Sequence, residues 1–458
     1  MSHKNKIIYP KLKREDIKLF QKINNQTYVE VAEEVEKWIR NYEFNKGKGK
    51  SWPLSSGEGS SEGDVVAATL TDRTLYSGAA GIGFFYVQLY EVTGKEEYLN
   101  KALEAFDYLS DTFTPELGKK PGVHSGLSGE GVFALLLYKK TGEQKYLDYA
   151  IQVGDAVYEY AVKEDGKTHW YGLIDYMGDG STVAYWIQLA QITGNQKYLA
   201  YAKETLDYMI SLVVENEDDT VNWNFLEIHN YFPDLPEGGL ISNFAHGTAG
   251  VVYLLAKYYQ AAKDEYYLDY AKKGFRFLEN IAVRDEKENS AIVPYIYWKN
   301  TGDVYDVFYL SMCHGPVGDG IVAKQLYEVT QDKHYLEFYD QLTNALIEAG
   351  VPNKRSAGYW NDCICCGSSG VLLHFIDGIT TIGDEKYERL AKETAIKLIG
   401  DAFKDDKGVR WYNAWTRLIP WNVDAHLGLY MGATGSASAL LSLYGKLENV
   451  AVTPIFEY

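Results

Sequence analysis

Three of the four cysteines in the chain occupy positions from which their sulfurs could share one ion. Cys313 and Cys365 each stand two residues ahead of a Gly-x-x-Gly phrase, Gly315–Gly318 and Gly367–Gly370, and Cys366 follows Cys365 directly. Thiolates are soft ligands that select zinc, and three of them leave a fourth tetrahedral position open, as in catalytic rather than structural zinc sites. The competing reading is three small apolar side chains at crowded helix ends, since a free cysteine often packs as a small hydrophobe. Cys363 is out of register and reads as a spare thiol, a neighbour of the ligands or a fourth ligand. His246 holds the matching place ahead of Gly247–Gly250, where an imidazole can give or take a proton near neutral pH or simply bond to the next loop. His314 either lines the same cavity or orients Cys313. His124 and His426 read as structural or rim residues. Asp175, in Gly172-Leu-Ile-Asp175-Tyr-Met-Gly178, is the carboxylate expected nearest to these groups, although aspartates at such turns commonly cap helices.

A repeat positions these residues. The phrase running from Gly78 to Leu99 returns from Gly126 to Leu147; in both, the second glycine is followed thirteen residues later by Gly and seventeen later by Tyr-Leu. The same ruler finds Gly178–Ser181, Gly247–Gly250, Gly315–Gly318, Gly367–Gly370 and Gly432–Gly435, seven copies in all, with Ser181 replacing the second glycine of the third. Each copy reads as a helical hairpin. Its first helix is apolar all round and therefore buried; its second carries one apolar stripe, as in Tyr98, Leu99, Ala102, Leu103, Phe106 and Leu109. The expected fold is all-α: an α/α toroid of seven hairpins with inner and outer helix layers. It forms one domain over residues 1–458, with an N-terminal helix and loop in 1–70 and the copies in 71–458. The seventh copy lacks an outer helix, and the amphipathic segment Asp16–Tyr42 supplies it, closing the ring. Equivalent positions then face one end of a central funnel. The pairs ahead of the glycines are Tyr76-Ser77, His124-Ser125, Tyr176-Met177, Ala245-His246, Cys313-His314, Cys365-Cys366 and Tyr430-Met431.

Composition narrows the function. A net charge of −18 without a basic stripe disfavours nucleic acid, whose phosphates would be repelled. No apolar run approaches the ~18–20 residues of a membrane span, and the first residues lack the apolar stretch of a signal peptide, so a cytoplasmic location is expected. The 39 tyrosines suggest apolar surfaces with hydrogen-bonding ends. An α/α-toroid glycosidase would need paired carboxylates at the funnel, and none of the seven pairs contains Asp or Glu.

The motifs Cys313-His-Gly-Pro-Val-Gly318, Cys365-Cys-Gly-Ser-Ser-Gly370 and Asn243-Phe-Ala-His-Gly-Thr-Ala-Gly250 resemble the lanthionine synthetase C-like family, and the likeness runs through nearly the whole chain. The resemblance implies Zn2+ held by Cys313, Cys365 and Cys366, with His246, Asp175 and His314 around the reacting groups. The third ligand departs from the family's usual Cys-His-Gly, and no basic residue precedes Cys313 over Asp306–Met312. The implied activity is a stand-alone lanthipeptide cyclase, in which a peptide cysteine adds to dehydroalanine or dehydrobutyrine. Its partners would be a dehydrated precursor peptide, a separate dehydratase and a transporter, at the periphery of a membrane-bound biosynthetic complex. Three thiolates bring the ion to a net −1, so a bound substrate thiolate should be more nucleophilic. Addition of glutathione or another small thiol to dehydrated peptides, and a zinc-bearing peptide-binding scaffold without activity, are the other readings. The aromatic segments Asn216–Ser242 and Val283–Met312 suit peptide binding or rim packing.

Overall fold

The computed structural model describes residues 23–58, 72–353, 361–416 and 419–456. After α1 (Asn25–Arg40), its helices pair as α2 (Ala79–Thr93) with α3 (Glu96–Asp111), α4 (Leu127–Thr141) with α5 (Gln144–Glu159), and α6 (Thr182–Thr193) with α7 (Lys197–Ser211). There follow α8 (Thr248–Ala262) with α9 (Glu265–Ile281) and α10 (Pro316–Thr330) with α11 (His334–Glu348), and then in chain order α12 (Ser368–Thr381), α13 (Glu385–Asp401) and α14 (Ala433–Glu448). The fold is the all-α toroid of inner and outer helices. The apolar pattern explains the two layers: α2 buries every residue from Ala79 to Leu89, whereas α3 buries one stripe that includes Tyr98, Ala102, Phe106 and Leu109. Inner helices α2, α4 and α6 stop at Gly94, Gly142 and Gly194 in the left-handed region (φ 68°, 72° and 70°). Lys263 and Gln331 take the same conformation after α8 and α10 without being glycine.

The chain sorts into two compact units: residues 1–112, 360–376 and 389–455, and residues 113–359, 377–388 and 456–458. In the first unit α14 packs on both α1 and α2, and Asn25 Nδ2 donates to Glu448 Oε1 at 2.7 Å. The N-terminal helix is thus the outer partner of the seventh copy. It starts at Asn25, capped by Asn24 and Thr27, and the expected turn before it lies outside the described residues. In the second unit the inner helices pack in series, α4 on α6, α6 on α8 and α8 on α10. A small antiparallel sheet there joins Gly239–Ile241, Ile296–Trp298 and Asp303–Val304, with Ile296–Trp298 in the middle. Among the described residues no helix is long and apolar enough to cross a membrane.

The second glycine of each phrase has a steric reason. A Cβ on Gly318 would stand 2.1 Å from the carbonyl oxygen of Met312, and one on Gly370 would stand 2.2 Å from that of Ile364. Residue i therefore presses against the carbonyl of i−6, which pins the intervening loop onto the first turn of the inner helix. Cys313-His314 and Cys365-Cys366 are carried on those pinned loops.

Candidate active site

Backbone bonds between successive copies set the level of the site. In the second unit Met177 N–H donates to Ala245 O and Ala245 N–H to Cys313 O, each at 2.9 Å. In the first, Cys365 N–H donates to Tyr430 O at 3.0 Å and Tyr430 N–H to Tyr76 O at 2.9 Å. Residues expected in equivalent slots are therefore neighbours. The third copy is the exception: Met177 makes the bond one residue later than the repeat predicts, and a 3-10 turn, Asp179–Ser181, replaces the first helical turn. This irregular loop carries Asp175.

Asp175 is fully buried, and its Oδ1 accepts the Gly178 N–H at 2.7 Å. Its Oδ2 lies 2.9 Å from His246 Nδ1. A carboxylate facing Nδ1 holds the ring proton there and leaves Nε2 as the nitrogen that exchanges protons. His246 keeps 29% of its side chain exposed, so it is held from one side and accessible from the other. Its ring lies 5.4 Å from that of His314, which packs against Tyr295 (4.7 Å) and Tyr309 (5.7 Å). His124 is buried edge-on to Tyr176, and desolvation, with the nearby His246 adding to it, pushes its pKa down to about 3. It stays neutral, as a structural residue would. His426, together with Tyr76, Ser77 and Met431, lines a cavity of about 340 Å³.

On the sulfur side, Cys365 and Cys366 Sγ are 3.5 Å apart. Cys365 and Cys366 belong to the first unit, and Cys313 holds the equivalent place of its repeat in the second. Sulfurs ~2.3 Å from a tetrahedral ion stand about 3.8 Å apart, so the 3.5 Å spacing of Cys365 and Cys366 and the all-thiol chemistry of the three cysteines suit zinc. Cys363 lies outside the group. It is buried, its Sγ accepts the Cys366 N–H at 3.3 Å and touches Met431 Sδ at 3.7 Å, and desolvation pushes its thiol up to about 12.

Two features escaped the sequence reading. Asn243, three residues before His246, donates from Nδ2 to Asp319 Oδ2 at 3.0 Å and to Val293 O at 3.4 Å. Both side chains are buried, and desolvation lifts the Asp319 carboxyl to about 8, so it is a neutral acid at pH 7. Asp319 lies six residues after Cys313, so the pair ties the His246 loop to the helix that follows the Cys313 loop. The aromatic segments also divide: Trp223 is a core residue bonded to Met209 O and Trp298 bonds to Pro236 O, whereas Tyr231 is exposed.

The chain belongs to the lanthionine synthetase C-like family, whose model matches residues 69–455. Its structure is similar to a solved nisin cyclase, with a TM-score of 0.63 and 14% identity over 93% of this chain and 95% of that chain. A cellobiose 2-epimerase from Bacillus thermoamylovorans B4167 aligns with a TM-score of 0.50 and 11% identity, over 92% of this chain and 99% of that one. At these identities the likenesses establish the fold alone. No curated protein matches in sequence.

Proposed function

We propose that this chain is a zinc-dependent lanthipeptide cyclase, built as one domain, that adds peptide cysteine thiolates to dehydroalanine or dehydrobutyrine and forms lanthionine or methyllanthionine. Family membership supports the class of reaction, and the observation that carries the reading is the all-thiol group Cys313, Cys365 and Cys366. These three residues would hold the ion. Bound zinc would supply a deprotonated substrate thiol at neutral pH, which a free thiol of pKa ~8.5 does not offer.

The rest of the chemistry falls to the protein. Addition of sulfur to the β-carbon leaves an enolate that must be protonated at Cα. His246 is assigned that proton, delivered from Nε2, while Asp175 on Nδ1 fixes the tautomer and steadies the charged ring. His314, wedged between Tyr295 and Tyr309 beside His246, is assigned a role in shaping the approach of the substrate. The substrate is a dehydrated precursor peptide. The dehydration that prepares this substrate is assigned to a separate dehydratase. A cytoplasmic setting beside a transporter completes the proposal.

The deciding experiment incubates reduced, zinc-loaded protein with a dehydrated peptide containing cysteine and counts free thiols and thioether rings by mass spectrometry. Ring formation that depends on Cys313 and on metal is expected. Metal-free protein that cyclises at the full rate would end the proposal.

A further inference from the structure

The inner helices α4, α6 and α8 frame a second cavity, of about 210 Å³, mostly along their C-terminal halves. It shares no residue with the site above. Its polar lining is Lys139, Lys257, Gln188, Gln191 and Gln260, without a single carboxylate. The chain has 63 acidic and 45 basic residues, and several half-buried lysines elsewhere are paired. Lys101 meets Glu43, Lys197 meets Asp155 and Lys324 meets Asp377, each within 2.8 Å. Lys139 and Lys257 have no ion-pair partner among the described residues; Lys257 rests its ammonium 5.6 Å from the Tyr253 ring centre. Desolvation, with no acid opposite to offset it, holds Lys139 below the usual lysine range. Gln260 Oε1 accepts from Gln325 Nε2 at 3.2 Å, which leaves its own amide NH2 to donate. Gln188 Oε1 is buried with no partner, so the protein does not satisfy this lining by itself.

Lysines also occur near helix C-termini because they offset the helix dipole. That explains Lys139, in the last turn of α4, but not Lys257, which sits five residues before the end of α8. The volume is about seven times the ~30 Å³ of a liquid water, room for a charged head group and a short stem. We propose that this cavity binds an oxyanion, carboxylate or phosphate, gripped by the Lys139 and Lys257 ammonium groups with glutamine amides completing the shell.

The test is calorimetric titration of the full chain with inorganic phosphate, with acetyl-glycylglycine, and with the amide of that dipeptide. At least one of the two anions should bind saturably, the amide should not, and Lys139→Met or Lys257→Met should each weaken binding roughly tenfold. Lys139→Glu and Lys257→Glu, folded by circular dichroism, should abolish it. Binding of phosphate alone assigns a phosphate ligand, and binding of the free acid alone assigns a carboxylate such as a peptide terminus. Absence of saturable binding by both anions, or unchanged affinity in the methionine variants, overturns the inference. Either result leaves the thiol chemistry of the other site untouched.

Discussion

In the first unit, bonds from Cys365 to Tyr430 and from Tyr430 to Tyr76 string together a thiol, a tyrosine and a second tyrosine whose ring stacks on the first at 5.2 Å. In the second, bonds from Met177 to Ala245 and from Ala245 to Cys313 string together a loop that brings a carboxylate to an imidazole, and then a cysteine. The backbone device is the same, and the chemistry is set by which side chain fills each slot. On the proposed reading the cysteines serve as soft ligands and the His246–Asp175 pair serves proton transfer, and substitutions should separate the two roles.

The largest effect is expected from Cys365→Ala. It should abolish zinc binding, measured by elemental analysis, and slow cyclisation at pH 7 by at least about 30-fold. That factor is the loss of ionisation alone for a free thiol of pKa ~8.5. On the other side, His246→Ala should cost ~10²–10⁴ in rate with zinc content unchanged. Asp175→Asn should cost ~10–100-fold and move the pH profile, because the imidazole keeps its place but loses its charge partner. If His246→Ala also emptied the metal site, the division between the two roles would fail.

Asp319 sharpens the contrast through stability. Its carboxyl is held near 8 when folded and near 3.8 when unfolded, so the folded chain binds more protons between those values. Stability should then fall as pH rises from about 4 to about 8, by up to roughly 5 kcal/mol, and level off above. Asp319→Asn keeps the shape without the titration. Denaturant unfolding across that range should show a flatter dependence for the variant than for the parent. The smallest effect belongs to the left-handed caps: Lys263→Gly and Gln331→Gly should each stabilise by about 0.5 kcal/mol in thermal melts, since neither residue favours its φ of 57° or 60°.

Much of this was legible in the residues because the signals were local and repeated. The all-round apolar inner helices, the striped outer ones and the glycine ruler fixed the hairpins, and α1 stands against α14 as the unpaired seventh copy required. Cys313, Cys365, Cys366 and His246 followed from register. Asp175 was harder, because its copy breaks the phrase at Ser181 and its loop runs one residue out of step. The Asn243–Asp319 contact spans 76 residues and leaves no periodic trace, so burial had to be seen before the acid could be called neutral. Trp223, whose segment suited either peptide binding or rim packing, is core, because an aromatic in a long connection says nothing about which side it faces.

The close approach of Gly81, Gly250, Gly318, Gly370 and Gly435 to a carbonyl six residues back makes these copies a row of standard sockets. Because the spacing is enforced by the main chain, ligands can be exchanged at the socket mouths without redesigning the scaffold: a histidine at 366 or a carboxylate at 245 would inherit the same placement. The glycines are the fixed gauge of that tool, and even an alanine at 318 or 370 would push the cargo of its loop out of line.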